Sequence, residues 1–311
     1  MRLLPAEKFV VTLILVLAAL DLALLSYKHV AIDIPGYISA LMTGGVAVAV
    51  GQFYRRFRHN EGIALAATAA GLFIIFSIVG SVFNYLLLPI VQQPVDGALA
   101  AFDEALGFSW LGFAAWTAGH PWLSAAYRFV YMSSMPQLIA VILILGFSKR
   151  AADLHLFLLT GLIGALLTIS WWAFFPSFGA TAFYSVPQDL LTDMPIIVGP
   201  EYGAELKRLA AQGVSYISPK DVLGLIGFPS FHTVMSLMSV WFMARFRLAL
   251  PVFVVINALM LPAIIVQGGH HLADVLGGAA AFAASLAFCT WIMSKINLRP
   301  QPHWTAETAP A

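Results

Sequence analysis

Long apolar runs separated by short polar knots dominate this chain. Eight of them reach the length of a bilayer-crossing helix: 9–27, 36–54, 62–88, 124–147, 154–175, 230–247, 250–267 and 271–294. A helix rises about 1.5 Å per residue, so roughly 20 apolar residues cross a hydrocarbon layer about 30 Å thick. The pattern predicts an all-α polytopic membrane helix bundle of about eight spans. Two stretches, 89–123 and 176–229, lack a continuous apolar run. The first is partly amphipathic, carries Trp110, Trp116 and Trp122, and has no lysine or arginine. It reads as an interfacial helix on the outer leaflet, where indoles prefer to sit, with a re-entrant segment as the alternative. The second is rich in Pro, Gly and acidic residues, with a helical patch near 201–212, and reads as a cap.

Composition sharpens the class. Of 311 residues, 60% are hydrophobic and only 10% charged, with a mean hydropathy of +0.88, which excludes an ordinary soluble domain. A net charge of +1 and the lack of any basic cluster interleaved with aromatics leave no argument for nucleic acid. The single cysteine, Cys289, sits inside an apolar run and excludes disulfides and cysteine-based metal sites. Arg2 and Lys8 ahead of the first run resemble the start of a signal peptide. The run is long and no clear small-residue cleavage site follows it, so an uncleaved first span is the preferred reading.

The basic residues orient the bundle. With a cytoplasmic N-terminus, Arg2, Lys8, Arg55, Arg56, Arg58, Lys149, Arg150, Arg245, Arg247, Lys295 and Arg299 fall inside, and Lys28, Arg128, Lys207, Arg208 and Lys220 outside, 11 against 5. Both termini are then cytoplasmic. The division expected is two N-terminal helices over 1–61, a core over 62–299 that includes 89–123 and the 176–229 cap, and a cytoplasmic tail over 300–311.

Two polar knots carry candidate chemistry. In QGGHHLADVLGG, 267–278, a helix starting near His270 puts His270 and Asp274 one turn apart. A carboxylate against one imidazole nitrogen fixes the tautomer and leaves the other nitrogen as a nucleophile. His271 is the rival, since it too can reach Asp274; a purely structural link or helix cap is the plain alternative. In GFPSFHT, 227–233, a helix opened by Pro229 and Ser230 leaves the N–H groups of Phe231, His232 and Thr233 unpaired, an anion site at the positive end of the helix dipole. Ser230 is either a cap or a phosphate ligand. The predicted topology brings both knots to one membrane face. Together they supply the parts for phosphoryl transfer through a phosphohistidine: His270 attacks and His232 protonates the leaving oxygen. Arg128, near the outer end of a span, either snorkels to the interface or binds the anion.

The remaining polar groups have plainer readings. His29, His59, His120, His155 and His303 read as ordinary interface histidines, and Asp21, Asn84 and Asn257 as interhelical hydrogen bonders. Two histidines and Asp274 lack a further ligand at recognisable zinc spacing, so no metal and no cofactor are expected. A transporter or flippase would need polar groups near mid-membrane on several spans, whereas these cluster at one face.

The two knots resemble the signatures of a known family. PSFH at 229–232 resembles the second signature, PSGH, of the type-2 phosphatidic acid phosphatase superfamily, and HHLAD at 270–274 resembles the core of its third. The resemblance implies a six-helix catalytic core, here spans three to eight, and metal-independent cleavage of lipid phosphate esters at the outer face. It makes His270 the phosphorylated nucleophile, Asp274 its orienting acid and His232 the general acid. Ser230, with Phe231 beside it, binds phosphate, and Arg128 stands in by position for the arginine of the first signature, which is not recognisable. Ala263 and Ile264 occupy the third signature's Ser-Arg position, and Phe231 that of a glycine. Fewer cations favour a phosphodiester over a dianionic monoester, and the pattern is nearer the inositol phosphorylceramide and sphingomyelin synthase branch, in particular its bacterial members. The partners implied are a phospholipid or polyprenyl phosphate and a lipid alcohol acceptor, in a bacterial inner membrane with the site periplasmic or extracellular.

Overall fold

The computed structural model describes residues 3–297, so Arg2, Arg299, His303 and the tail over 300–311 lie outside the described residues. The chain opens with α1, Pro5–Lys28, and α2, Ile34–Phe53, which Asp33 caps by accepting the Gly36 N–H at 3.0 Å. A π-helical turn, Tyr54–Arg58, follows, and its Arg55 holds Glu7 of α1 at 2.6 and 2.7 Å. Next comes α3, Glu61–Leu86. It lies against α2 with backbone touching side chain, because a Cβ at Gly71 would strike Val48 Cγ2 at 2.6 Å. Small residues are what allow such an approach.

Short helices α4, Asp96–Ala105, and α5, Trp110–Ala118, precede α6, Pro121–Met132, and α7, Ser134–Phe147, two halves bent by 50° at Ser133. Beyond α8, Ala151–Phe174, the segment to residue 229 forms α9, Ala180–Phe183, α10, Gln188–Asp193, and α11, Pro200–Gln212. Strand β2 of this segment, Tyr216–Ile217, pairs in parallel with β1, Ala31–Ile32, ahead of α2. The described residues close with α12, Phe231–Met243, α13, Leu250–Val266, and α14, Leu272–Asn297.

All eight apolar runs fold as helices, and the architecture is the expected all-α polytopic bundle. Among the described residues five helices are long and apolar enough to cross a membrane, or six with the bent α6–α7 pair counted as one. The other two runs give α12 and α13, of 13 and 17 residues, or about 20 and 26 Å of helix. They are short because Pro229 sets the start of α12 and a turn at 244–249, with Arg245 and Arg247, ends it.

One end of the bundle gathers the C-terminal ends of α3, α8 and α13 with the starts of α12 and α14. The polar face of the segment 89–123 is not wholly exposed. Asp96 and Asp103 of α4 are buried, and Trp110 is buried with its Nε1–H donated to the Ile265 carbonyl at 3.0 Å, while Trp116 and Trp122 remain exposed.

Candidate active site

Ser230 caps α12 by accepting the Thr233 N–H on its Oγ at 3.4 Å. Of the three N–H groups expected to be unpaired, that leaves those of Phe231 and His232 at the positive helix end. The start of α14 lies directly against this one. The Ser230 N–H donates to the Asp274 carbonyl at 3.0 Å, and a Cβ at Gly278 would strike the Ser230 carbonyl and Thr233 Cβ.

His270 sits in the turn just before α14, not within it. Its Nδ1 is 2.9 Å from Asp274 Oδ2, and the same oxygen accepts the His271 N–H at 2.9 Å. Asp274 is fully buried, and both of these hydrogen bonds fall on Oδ2, while Oδ1 has no hydrogen-bond partner among the described residues. The other ring nitrogen of His270, Nε2, has Ser230 Oγ at 3.5 Å. The rings of His232 and His270 have centroids 6.2 Å apart, a gap of about two near-attack distances of ~3 Å. Tyr131, at the end of α6, stacks on His232 at 4.6 Å and 20°.

Both imidazoles open onto a cavity of about 310 Å³. Phe231 and Gly268 line it, as do Asn84 at the end of α3, Phe178 and Gly179 after α8, and Tyr202 of α11. The cap expected over 176–229 therefore supplies walls, and Gly269, at φ +63°, turns beneath it where a side chain would meet Thr181 Oγ1 at 2.5 Å. Among the described residues no lysine, arginine, aspartate or glutamate lines the cavity.

The structure thus brings together His232, His270, Asp274, Ser230 and Phe231. It does not bring Arg128 to them. That side chain is exposed, donates to the Pro195 carbonyl at 3.3 Å and does not line the cavity. An arginine one helical turn before Tyr131 shares its helix but points to the bundle surface. Ser230 is fully buried and acts as a link between Thr233 and His270, outside the cavity wall.

Comparison with known proteins gives a match to the model of the PAP2 superfamily over residues 97–288, more than half of the chain. The chain belongs to the PAP2 superfamily. No curated protein and no solved structure matches it. PAP2 superfamily members are phosphatases and phosphotransferases, which makes this an enzyme of that type. The matched region starts at α4 and runs into α14, so it spans every element that lines the cavity except α3.

The sequence pointed to neither Tyr131 nor Asp103, and suggested another role for His271. Tyr131 carries no local signal. His271, read as a rival nucleophile, is fully buried and faces Asp96 and Asp103 instead of the cavity. Asp103 accepts the Leu272 and Ala273 N–H groups, both at 2.8 Å, and so caps α14 from a different helix. The available signal was two aspartates seven residues apart, two helical turns, in a segment without a basic residue.

Proposed function

We propose that this enzyme transfers a phosphoryl or phospho-headgroup from a lipid phosphate ester through a phosphohistidine on His270. The observation that carries the reading is the pairing of two imidazoles across one cavity with a buried carboxylate behind one of them. With its proton on Nδ1 and donated to Asp274, His270 keeps a lone pair on Nε2. That lone pair forms the N–P bond as the P–O bond to the leaving group breaks, and a protonated His232 gives its proton to the departing oxygen. In the second half, water or an acceptor hydroxyl passes its proton to His232 and attacks phosphorus, and the N–P bond breaks. The N–H groups at the start of α12 favour the phosphate charge.

Water as acceptor gives a lipid phosphatase, and this is the primary reading. Transfer of a headgroup to a lipid alcohol, as in the inositol phosphorylceramide synthase branch, is favoured by one observation: a cavity without a lysine or arginine suits the single charge of a phosphodiester. The site is taken to open on the non-cytoplasmic face, since the basic turns gather at the opposite end of the bundle.

Purified protein incubated with phosphatidate, a prenyl diphosphate, or ceramide plus a phosphoinositide separates the two. Turnover of at least one is expected, with an acid-labile phosphohistidine trapped on wild type. His270→Ala should lose turnover by on the order of 10³-fold or more while remaining folded. Retained turnover in that variant would refute the nucleophile.

A further inference from the structure

His271 occupies an unusual position for a buried side chain. Its Nε2 is 3.4 Å from Asp96 Oδ1 and its Nδ1 is 3.7 Å from Asp103 Oδ2. The rings of Phe183 and Tyr184 flank it at 6.0 and 6.2 Å. Neither ring nitrogen makes a directed hydrogen bond, so the attraction is between charges.

The two carboxylates are themselves anchored. Asp96 accepts from Ser177 Oγ at 2.9 Å, the Phe178 N–H at 3.1 Å and the Gly179 N–H at 2.9 Å. Asp103 holds the first N–H groups of α14. Seven residues apart on α4, they form a fixed bracket around the imidazole. The His271 backbone N–H in turn donates to Asp274 Oδ2, the oxygen that braces His270.

Charge balance gives the state of this ring. Asp96, Asp103 and Asp274 bury three carboxyl groups beside a site meant for an anion, which is costly unless a cation is among them. Among the described residues the basic group within ion-pair distance of both Asp96 and Asp103 is His271. The other polar groups around it are Tyr184 and, beyond Asp96, Lys207, whose ammonium is donated to the Ala182 carbonyl at 2.6 Å. Burial acts to lower the His271 pKa. The close approach of Asp96 and the charges of Asp274, Asp96 and Asp103 outweigh it, and the net shift is upward.

We propose that His271 is a positioning residue for the phosphoryl-transfer step, an imidazolium clamped between Asp96 and Asp103 that holds Asp274, and through it His270, in attacking geometry. This rests on the functional reading above. Because the folded-state pKa is raised, the stabilisation from this clamp is full below the ordinary histidine pKa and is lost as pH rises through the raised value. Turnover should fall over the same alkaline range.

The test uses the full chain in detergent and two readouts, the thermal unfolding midpoint and kcat with KM, each followed from about pH 6 to 9. Wild type should show a midpoint that falls as pH rises. His271→Gln should flatten that dependence, lower kcat by on the order of 10- to 100-fold with KM changed less than about threefold, and lose the alkaline limb. Should that variant not fold, Asp96→Asn removes one charge and should move the alkaline limb of both readouts to lower pH. A merely structural role would lower the midpoint yet leave both pH profiles where wild type has them, and that result would overturn the proposal. A wild type without phosphoester turnover, but with a midpoint still tied to His271, would refute the functional reading and leave the clamp intact.

Discussion

At the scale of single residues, the contact between His270 and Asp274 is what, on the proposed mechanism, selects the reacting nitrogen. A carboxylate on Nδ1 holds the proton there; an amide in its place can turn its N–H toward the ring and favour the tautomer protonated on Nε2. Asp274→Asn should therefore lower kcat by on the order of 10²- to 10⁴-fold with KM little changed, as measured with whichever substrate wild type turns over. This contact was legible in the sequence, because four residues within one turn is a local relation. The burial of Asp96 and Asp103 was not. Polar residues on an amphipathic helix read as a water-facing stripe, and only the docking of α4 against the start of α14 turns them inward. Arg128 misled for the complementary reason, since depth along a helix is legible but the side it faces depends on neighbours.

Among the elements, the start of α12 against the first turns of α14 sets the distance between the two imidazoles. Gly278 makes that approach possible: a methyl group there would meet Thr233 Cβ at 2.7 Å as well as the Ser230 carbonyl. Gly278→Ala should destabilise the protein by about 1–3 kcal/mol and lower turnover with it. Gly45→Ala, inside α2 where a Cβ meets nothing within 4 Å, should leave turnover unchanged and raise stability by up to about 1 kcal/mol; thermal unfolding and activity of the two variants check this. The helices themselves were legible from apolar run length alone. The break between α6 and α7 had a signal that run length alone hides: Pro136 has no N–H for the Met132 carbonyl and its ring clashes there, which bends the helix just before it, at Ser133. That break ends α6 one residue after Tyr131, which stacks on His232.

For the whole molecule, two helices, α12 and α13, lie between the two motifs, and both motifs meet at one end of the bundle. The positive-inside distribution further predicts which compartment the cavity faces. Cys289 is fully buried, so a cysteine placed at exposed Lys220 can be read almost alone. In intact cells a membrane-impermeant maleimide should label Lys220→Cys and spare Arg245→Cys, and the reverse pattern would invert the bundle.

The two leading helices, which a family signature would treat as additions, are stitched to the reaction end of the protein. The Lys28 ammonium donates to the Leu86 and Leu88 carbonyls at 2.6 and 2.8 Å, Ser218 Oγ donates to Asp33 at 3.0 Å, and β1 pairs with β2. Helices held in this way are not a detachable appendage. A chimera that exchanged these helices for foreign ones would leave two carbonyls and a strand edge bare at the cavity end of the bundle, so the first two helices and the rest of the fold work as one unit.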